Sequence, residues 1–444
     1  MLSVMASPPL RRIVAAYTIN RLGTWFGFIA LSIAVFDHTH SAIAVAAVLI
    51  AAQVVPAFVA PALVARIETS TRGRFTELYL FEAVATTALA VLLLHFWLPA
   101  ILLLAALDGT AALAANALLR AQTARTARNQ ALASAPDAAA SAIEADAASA
   151  SVNLEKQAQE AERQANAAVN VAFSFTFVLG PALAGGLVAA AGAPAAMFID
   201  AGSFLVCGAM LRHLRAHEDP EETSVRARLR AAWKHIAGMP MLRALLLAEA
   251  AALVFFESAA PIEVAYAKVT LHAGDRGYGV LVGAWGLGAV AGSVIFARST
   301  RRSLGAMLTA AILAIGLAYL GFAAAPTLAV ACAAAVVGGV GNGVEWASVI
   351  SIVQRLTPQR LHGQLMSSVE SLGALCPAIG LSLGGVLVAL SSPREAFLVV
   401  GIASSAMTIP FLVLYLRGLD RGIVEDTNAA SPKPPVHPVP EVVP

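Results

Sequence analysis

Charge is scarce in this sequence. Of its 444 residues, 13% are Asp, Glu, Lys or Arg, about half the share of an ordinary soluble domain. A folded chain of this length could not cover its surface in water with so few charges, so a soluble enzyme is excluded first. Lysine is rarest: Lys156, Lys234, Lys268 and Lys433 are the full set, and none follows a glycine. A Walker A loop, and ATP hydrolysis by that route, is therefore absent. Neither charge sign dominates. With 29 basic and 27 acidic residues, the net charge of +2 leaves no nucleic-acid footprint. The three cysteines, Cys207, Cys332 and Cys376, share no metal-ligand or redox spacing and lie in apolar stretches. They read as small core hydrophobes rather than a disulfide framework. Gly (33) and Pro (22) are too few for a collagen-like or low-complexity chain. No small-residue cleavage site follows the basic start Met1 to Arg12, which reads as the entry to a first span, not a removed leader.

What the sequence does have is long apolar runs. Hydrophobic residues make up 59% of it, and mean hydropathy is +0.76. A membrane helix needs roughly 20 such residues. Runs of that length fall near 13–36, 42–65, 76–96, 98–119, 167–191, 194–213, 243–265, 277–297, 304–324, 327–353, 364–390 and 395–416, and they are numbered here as spans 1 to 12. The expected fold is all-α, with twelve transmembrane helices. With both termini in the cytoplasm, most basic residues sort to that side, Arg11, Arg12, Arg120, Arg298, Arg355 and Arg417 among them. Only Lys268, Arg276 and Arg394 stay outside, as the positive-inside rule requires.

Gly185, Gly186, Pro194, Phe198 and Gly202 recur as Gly384, Gly385, Pro393, Phe397 and Gly401, each 199 residues on. Arg66 and Arg298, which end spans 2 and 8, are 232 residues apart. The first half thus holds about thirty extra residues, and such internal duplication is a common plan for secondary transporters. The expected organisation is a six-helix bundle over 1–213, a charged cytoplasmic linker over 214–242, a second bundle over 243–424 and a Pro-rich disordered tail over 425–444. An Ala-rich cytoplasmic insertion occupies about 121–165, in which Glu155 to Arg163 reads as a polar helix.

Several stretches resemble the major facilitator superfamily, and within it the branch of siderophore exporters and macrolide-efflux proteins. They are Asn20 to Trp25, Thr39 to Ala42, Gly180 to Gly186, Gly283 to Gly292 and Gln354 to Pro358. The likeness covers nearly the whole chain apart from the insertion and the tail. It implies two pseudo-symmetric six-helix bundles, a central cavity lined by spans 1, 4, 7 and 10, and export by alternating access. Gly180, Pro181, Gly185 and Gly186 look like the family's antiporter motif, with Pro181 bending span 5 and the glycines admitting a neighbouring helix. A packing kink with no coupling role is the competing reading. The loop after span 2 departs from the family pattern: Ala65 stands where an Asp is usual, with Glu68 a substitute or a solvated residue.

Charges in mid-bilayer cost a few kcal/mol each and are functional candidates by default. Arg21 (span 1), Asp108 (span 4), Glu257 (span 7) and Glu345 (span 10) lie near the middle of their spans. Burial disfavours a charged carboxylate and a neighbouring Arg favours it. An acid balanced between the two can take up a proton in one state and release it in another, as proton-coupled antiport requires. A static pair of Arg21 with a carboxylate is the alternative. Asn342 is the expected substrate contact among the uncharged polar residues, and interhelical bonding is expected of Asn20 and Asn116. Glu82, Glu249 and Glu370 are either gate residues or side chains snorkelling to the interface. Asp200 and Glu263 read as interfacial. Trp25, Phe26 and Trp346 either stack on a cargo or pack against helices and lipid.

Gly380 to Gly384 fits a serine-hydrolase pattern by letters but lies within an apolar run, where that pattern needs a strand-turn-helix. His38 and His40 beside Asp37 make a weak metal motif, with a solvated loop favoured. The expectation is a non-enzymatic, monomeric transporter of the bacterial inner membrane. It has no cofactor or metal, and its partners are a small amphipathic molecule, protons and the bilayer.

Overall fold

The computed structural model describes residues 7–69, 75–133, 144–212, 236–299, 302–356 and 362–418, and no strand occurs among them. Span 1 is Pro8–Thr39. Span 2 is Ala42–Leu49, which passes through a π-helical turn, Ile50–Val54, into Val55–Thr69. Spans 3 to 6 are Phe75–Leu94, Leu98–Ala133, Glu144–Ala191 and Ala193–Met210. Span 7, Pro240–Ala265, ends in a second π turn, Tyr266–Thr270. Spans 8 to 11 are Gly274–Arg298, Leu304–Ala324, Leu328–Arg355 and His362–Leu390. Span 12 is Pro393–Ala406 continued by Thr408–Leu416. Eleven of these are long and apolar enough to cross a membrane. Span 11 is the twelfth: its helix has 29 residues, and its stretch Cys376–Leu390 is predominantly apolar.

Local chemistry sets the boundaries. Proline opens spans 1, 6, 7 and 12 at a position where its missing N–H leaves no bond unmade. Ser303 and Thr327 cap spans 9 and 10 by accepting from Ala306 and Val330 N–H, and Ser392 with Glu395 forms a reciprocal capping box on span 12. Gly192, at φ 84°, supplies the left-handed residue that turns span 5 into span 6. In span 2 the Val55 N–H reaches back to Ile50 O, and Pro56 follows with no N–H to give. The hydrogen-bond ladder slips there by one residue.

The expected insertion at 121–165 takes a different form. Residues 121–133 prolong the helix of span 4, and the polar stretch Glu155 to Arg163 lies on the same helix as span 5. At 1.5 Å per residue these helices of 36 and 48 residues run to about 54 and 72 Å, well past a hydrocarbon core of about 30 Å. Arg128 and Glu162 join the two extensions at 3.4 Å. Most of the expected linker and all of the expected tail lie outside the described residues, although span 7 already begins at Pro240.

The packing repeats with the sequence. Spans 1·5, 1·6, 2·4, 3·4 and 3·6 pack in the first half, and 7·11, 7·12, 8·10, 9·10 and 9·12 pack in the second. Across the halves span 5 meets span 8 and span 2 meets span 11, as a twofold-related pair should. One apolar core at the end bearing the span 1–2 turn takes residues from both halves, from Ile29 to Phe36 of span 1 through Val264, Tyr278 and Leu381. Toward the end bearing the termini there are separate cores, one around Tyr17, Tyr79 and Phe204 and another around Leu245, Ile352 and Phe411. The halves are therefore closed on each other at the first end and individually packed at the second. Large apolar side chains such as Phe58, Leu103, Leu247 and Ile409 are exposed, as helices facing lipid require.

Candidate functional site

Two groups of carboxylates lie inside this frame. The first is in the N-terminal half. Asp108, from span 4, is half-buried and accepts a hydrogen bond from the Thr86 hydroxyl of span 3 at 2.7 Å. Glu82, one turn before Thr86, is 0% exposed, and neither of its carboxylate oxygens has a hydrogen-bond partner. Asp200, from span 6, is 3% exposed, with Oδ1 unpartnered. The three acids stand close enough for their charges to interact. Gly23 and Gly27 of span 1 admit the Asp200 carboxylate, since a Cβ at either would collide with it. Two expectations are corrected here. Glu82 does not snorkel, because its face of span 3 packs on span 6. Asp200 is not interfacial, because it lies about 10 Å from the start of its helix and points at span 1.

Glu82→Met removes a buried carboxyl that has no partner. Its expected effect is a gain in stability of about 1–3 kcal/mol, read as a higher unfolding midpoint in detergent.

The second group is in the C-terminal half. Glu345 is 8% exposed and accepts a 3.4 Å bond from the Asn342 amide. It lines a small cavity with Ala252, Phe256, Ile312, Ile315 and Ser404. The carboxylate of Glu249 in span 7 interacts with that of Glu345, and Glu249 Oε2 is buried and unpartnered. Glu257 stands apart, against Gly380 of span 11. The side chain of Glu370 lies outside the described residues.

Arg21 joins neither group. Its guanidinium lies over the Phe173 ring, 5.1 Å from the centroid, with Nε buried and unpartnered. The expected Arg21–carboxylate pair does not form among the described residues. Helix geometry explains this: Arg21 is two residues from Gly23, about 200° around the helix, so it faces span 5 while Asp200 lies on the opposite face. Asn20 donates to Asn116 Oδ1 at 3.3 Å, the interhelical bond expected of it.

The antiporter-like stretch divides into three parts. Gly180 receives the Trp25 ring, which also meets Phe28 and Phe177 edge-on. Gly185, four residues after Pro181, lies directly against Gly279 of span 8. Gly186 faces open space. Beside this contact Lys268 bridges the halves, pairing with Asp37 at the end of span 1 and with Asp275 of span 8 at 2.6 Å. Nothing in the sequence marks this triad. Lys268→Ala leaves Asp37 and Asp275 without their shared cation. It is expected to raise labelling of a cysteine placed at position 33, inside the shared core, several-fold over a Lys268 control.

Other candidates resolve simply. Trp346 is 54% exposed and turned away from the interior. His38 stacks on Phe96 and bonds to Ala34 O, and no metal-holding cluster exists among the described residues. Ser382 lies within a helix and donates to Ala378 O, with no nucleophile elbow.

The family profile described as Major Facilitator Superfamily matches residues 146–266 and 245–441. No curated protein matches the sequence. Several solved structures share the fold. The nucleoside transporter NupG aligns with TM-score 0.68 at 11% identity, over 92% of this chain and 99% of its own. A bacterial homologue of the iron transporter ferroportin, inward-facing, aligns with 0.65 at 17% identity, over 93% and 99%. A POT family transporter in complex with 5-aminolevulinic acid aligns with 0.62 at 12% identity, over 91% and 95%. At these identities the likeness is one of fold. Together with the paired six-span halves and the profile match over most of its length, it makes this chain an integral membrane transport protein, not an enzyme, and a member of the major facilitator superfamily.

Proposed function

We propose that the protein is a proton-coupled exporter of a small amphipathic molecule, drug-like or siderophore-like, in the bacterial cytoplasmic membrane. It works as a monomer with both termini inside, and 1–213 and 243–424 are its two moving bundles, tied by 214–242. One observation carries the coupling: the acids buried in each half have no cationic partner among the described residues. A carboxylate so placed is neutralised either by a proton or by a cationic group on the cargo, and exchange of one for the other is antiport.

In the proposed orientation the shared core and the Lys268 triad close the outside, so this state faces the cytoplasm. Cargo enters between the bundles and displaces protons held at Asp108 and Glu345. Asn342, beside Glu345, and Arg21, with Phe173 beneath it, supply polar and aromatic contacts. Glu257 is a further proton site on span 7. Glu82, Glu249 and Glu370 adjust access as gates. Rocking then parts span 5 from span 8 and Lys268 from Asp37. Cargo leaves, and external protons refill the acids and return the bundles. The stretch from Gly180 to Gly186 is the hinge contact of that motion.

The test uses inside-out vesicles with an acid interior and a pH-sensitive dye. Siderophores, macrolides, cationic drugs and sugars are added in turn, with Asp108→Asn combined with Glu345→Gln as control. A compound that raises internal pH in the wild type and not in the variant supports the reading. Flux with no pH response overturns the coupling and favours a facilitator or importer. No flux at all from inserted protein, with partner capture through the 121–165 extensions, favours a sensor or scaffold.

A further inference from the structure

Another cavity among the described residues lies away from both acid groups. It opens where the last turn of span 8, the first turn of span 9 and the last turn of span 10 meet, at the end bearing the termini. Phe296, Ala297, Leu304 and Met307 form its apolar lining, with Ser299, Ser351, Arg302 and Arg355 around them. Its volume is about 220 Å³, room for a phosphate group with a glycerol stem but far too little for a folded partner. Ser299 and Ser351 donate their hydroxyls to helix carbonyls, so their oxygens remain available as acceptors. Arg302 and Arg355 are exposed and enter no ion pair among the described residues.

The sequence explains why. No Asp or Glu occurs between Arg276 and Glu345, and none between Glu345 and Glu370. This corner nevertheless carries Arg298, Arg302 and Arg355. Two basic groups elsewhere pair with carboxylates, Arg128 with Glu162 and Lys268 with two aspartates. The arginines of this corner have none within reach along the chain. The positive-inside rule accounts for basic residues at this level of the membrane. It does not account for two arginines lining one cavity together with four apolar residues.

We propose that this cavity binds the headgroup of an anionic glycerophospholipid from the adjacent leaflet. Arg302 and Arg355 hold the phosphate, since guanidinium groups match its paired oxygens. The lining from Phe296 to Met307 takes the start of the acyl chains, and the exposed Val294 and Ile295 of span 8 continue that apolar path along the helix. Basic pockets between membrane helices on this side suit such headgroups. The binding is independent of cargo and of proton coupling.

The experiment is native mass spectrometry of the full-length protein in detergent. It is titrated with phosphatidylglycerol or phosphatidylcholine of identical chains, with no transport required. The wild type is expected to retain one phosphatidylglycerol in preference to phosphatidylcholine. Arg302→Gln with Arg355→Gln is expected to weaken that retention on the order of tenfold or more, while Arg417→Gln, an interfacial arginine outside the cavity, leaves it intact. The unfolding midpoint in phosphatidylcholine confirms that the double variant is folded. Equal retention of the two lipids by the wild type overturns the proposal without recourse to any variant. So does undiminished phosphatidylglycerol binding in the folded double variant. Excess inorganic phosphate that stabilises the wild type as well as phosphatidylglycerol does would also overturn it, because the site would then be one for a free anion.

Discussion

Asp108→Asn combined with Glu345→Gln is expected to abolish proton-driven accumulation while leaving the protein folded. Both substitutions keep shape and hydrogen bonding. The Thr86 hydroxyl still finds an oxygen at position 108, and the Asn342 amide still finds one at 345. What is lost is the ability to exist in two charge states. Proton and cargo are linked ligands, and such a linkage is worth about 1–3 kcal/mol, or about 5- to 150-fold in affinity. The cargo affinity of the double variant should therefore stop responding to pH, measured as binding to detergent-solubilised protein across the titration range. Each single variant keeps one acid group intact and is expected to retain part of the response. If the double variant binds cargo with the full wild-type pH dependence, the assignment to Asp108 and Glu345 is wrong. Glu82, Asp200 and Glu249, buried beside them, then become the coupling acids.

The spans are more legible in the sequence than the site is. Apolar runs of bilayer length are counted directly, and the repeat from Gly185 to Gly202 and from Gly384 to Gly401 marks the duplication without any structure. The site needed two things that counting does not supply. One is the direction a residue faces around its helix. Arg21 and Asp108 are both mid-span, yet Arg21 turns toward Phe173 while Asp108 turns toward Thr86. The other is depth judged from a helix that is not perpendicular or is longer than the membrane. Asp200 and Glu82 looked peripheral by position, and both are buried.

A finer signal was present in the sequence. Tyr79, Glu82 and Thr86 on span 3, and Asp200, Ser203 and Cys207 on span 6, follow the same i, i+3, i+7 spacing, which puts each set on one helix face. Two polar stripes on neighbouring helices would have announced the buried group. The Lys268 triad had no such signal, because Asp37 and Lys268 are 231 residues apart and are joined by the packing of the halves.

That packing yields the sharpest contrast between two adjacent residues. Gly185→Leu is expected to eliminate transport, and Gly186→Leu to leave it nearly unchanged. A Cβ at Gly185 would lie 2.6 Å from the Gly279 Cα and 2.9 Å from its N, inside contact distance with backbone that cannot give way. A Cβ at Gly186 meets nothing within 4 Å. The obstruction at Gly185 is with span 8 of the other half, so the N-terminal bundle can still fold around the leucine. What cannot form is the closed outer contact, and the protein should be held open on that side. Distance measurements between spin labels on spans 5 and 8 would then report a single long separation for Gly185→Leu, where the wild type and Gly186→Leu also populate the short one. A short separation retained in Gly185→Leu would mean that the two helices can pass that point by sliding, and that the glycine contact does not set the closed state. Similar spacing in both leucine variants, with similar loss of flux, would instead assign the whole stretch to folding, and Pro181 with its glycines would be a packing kink.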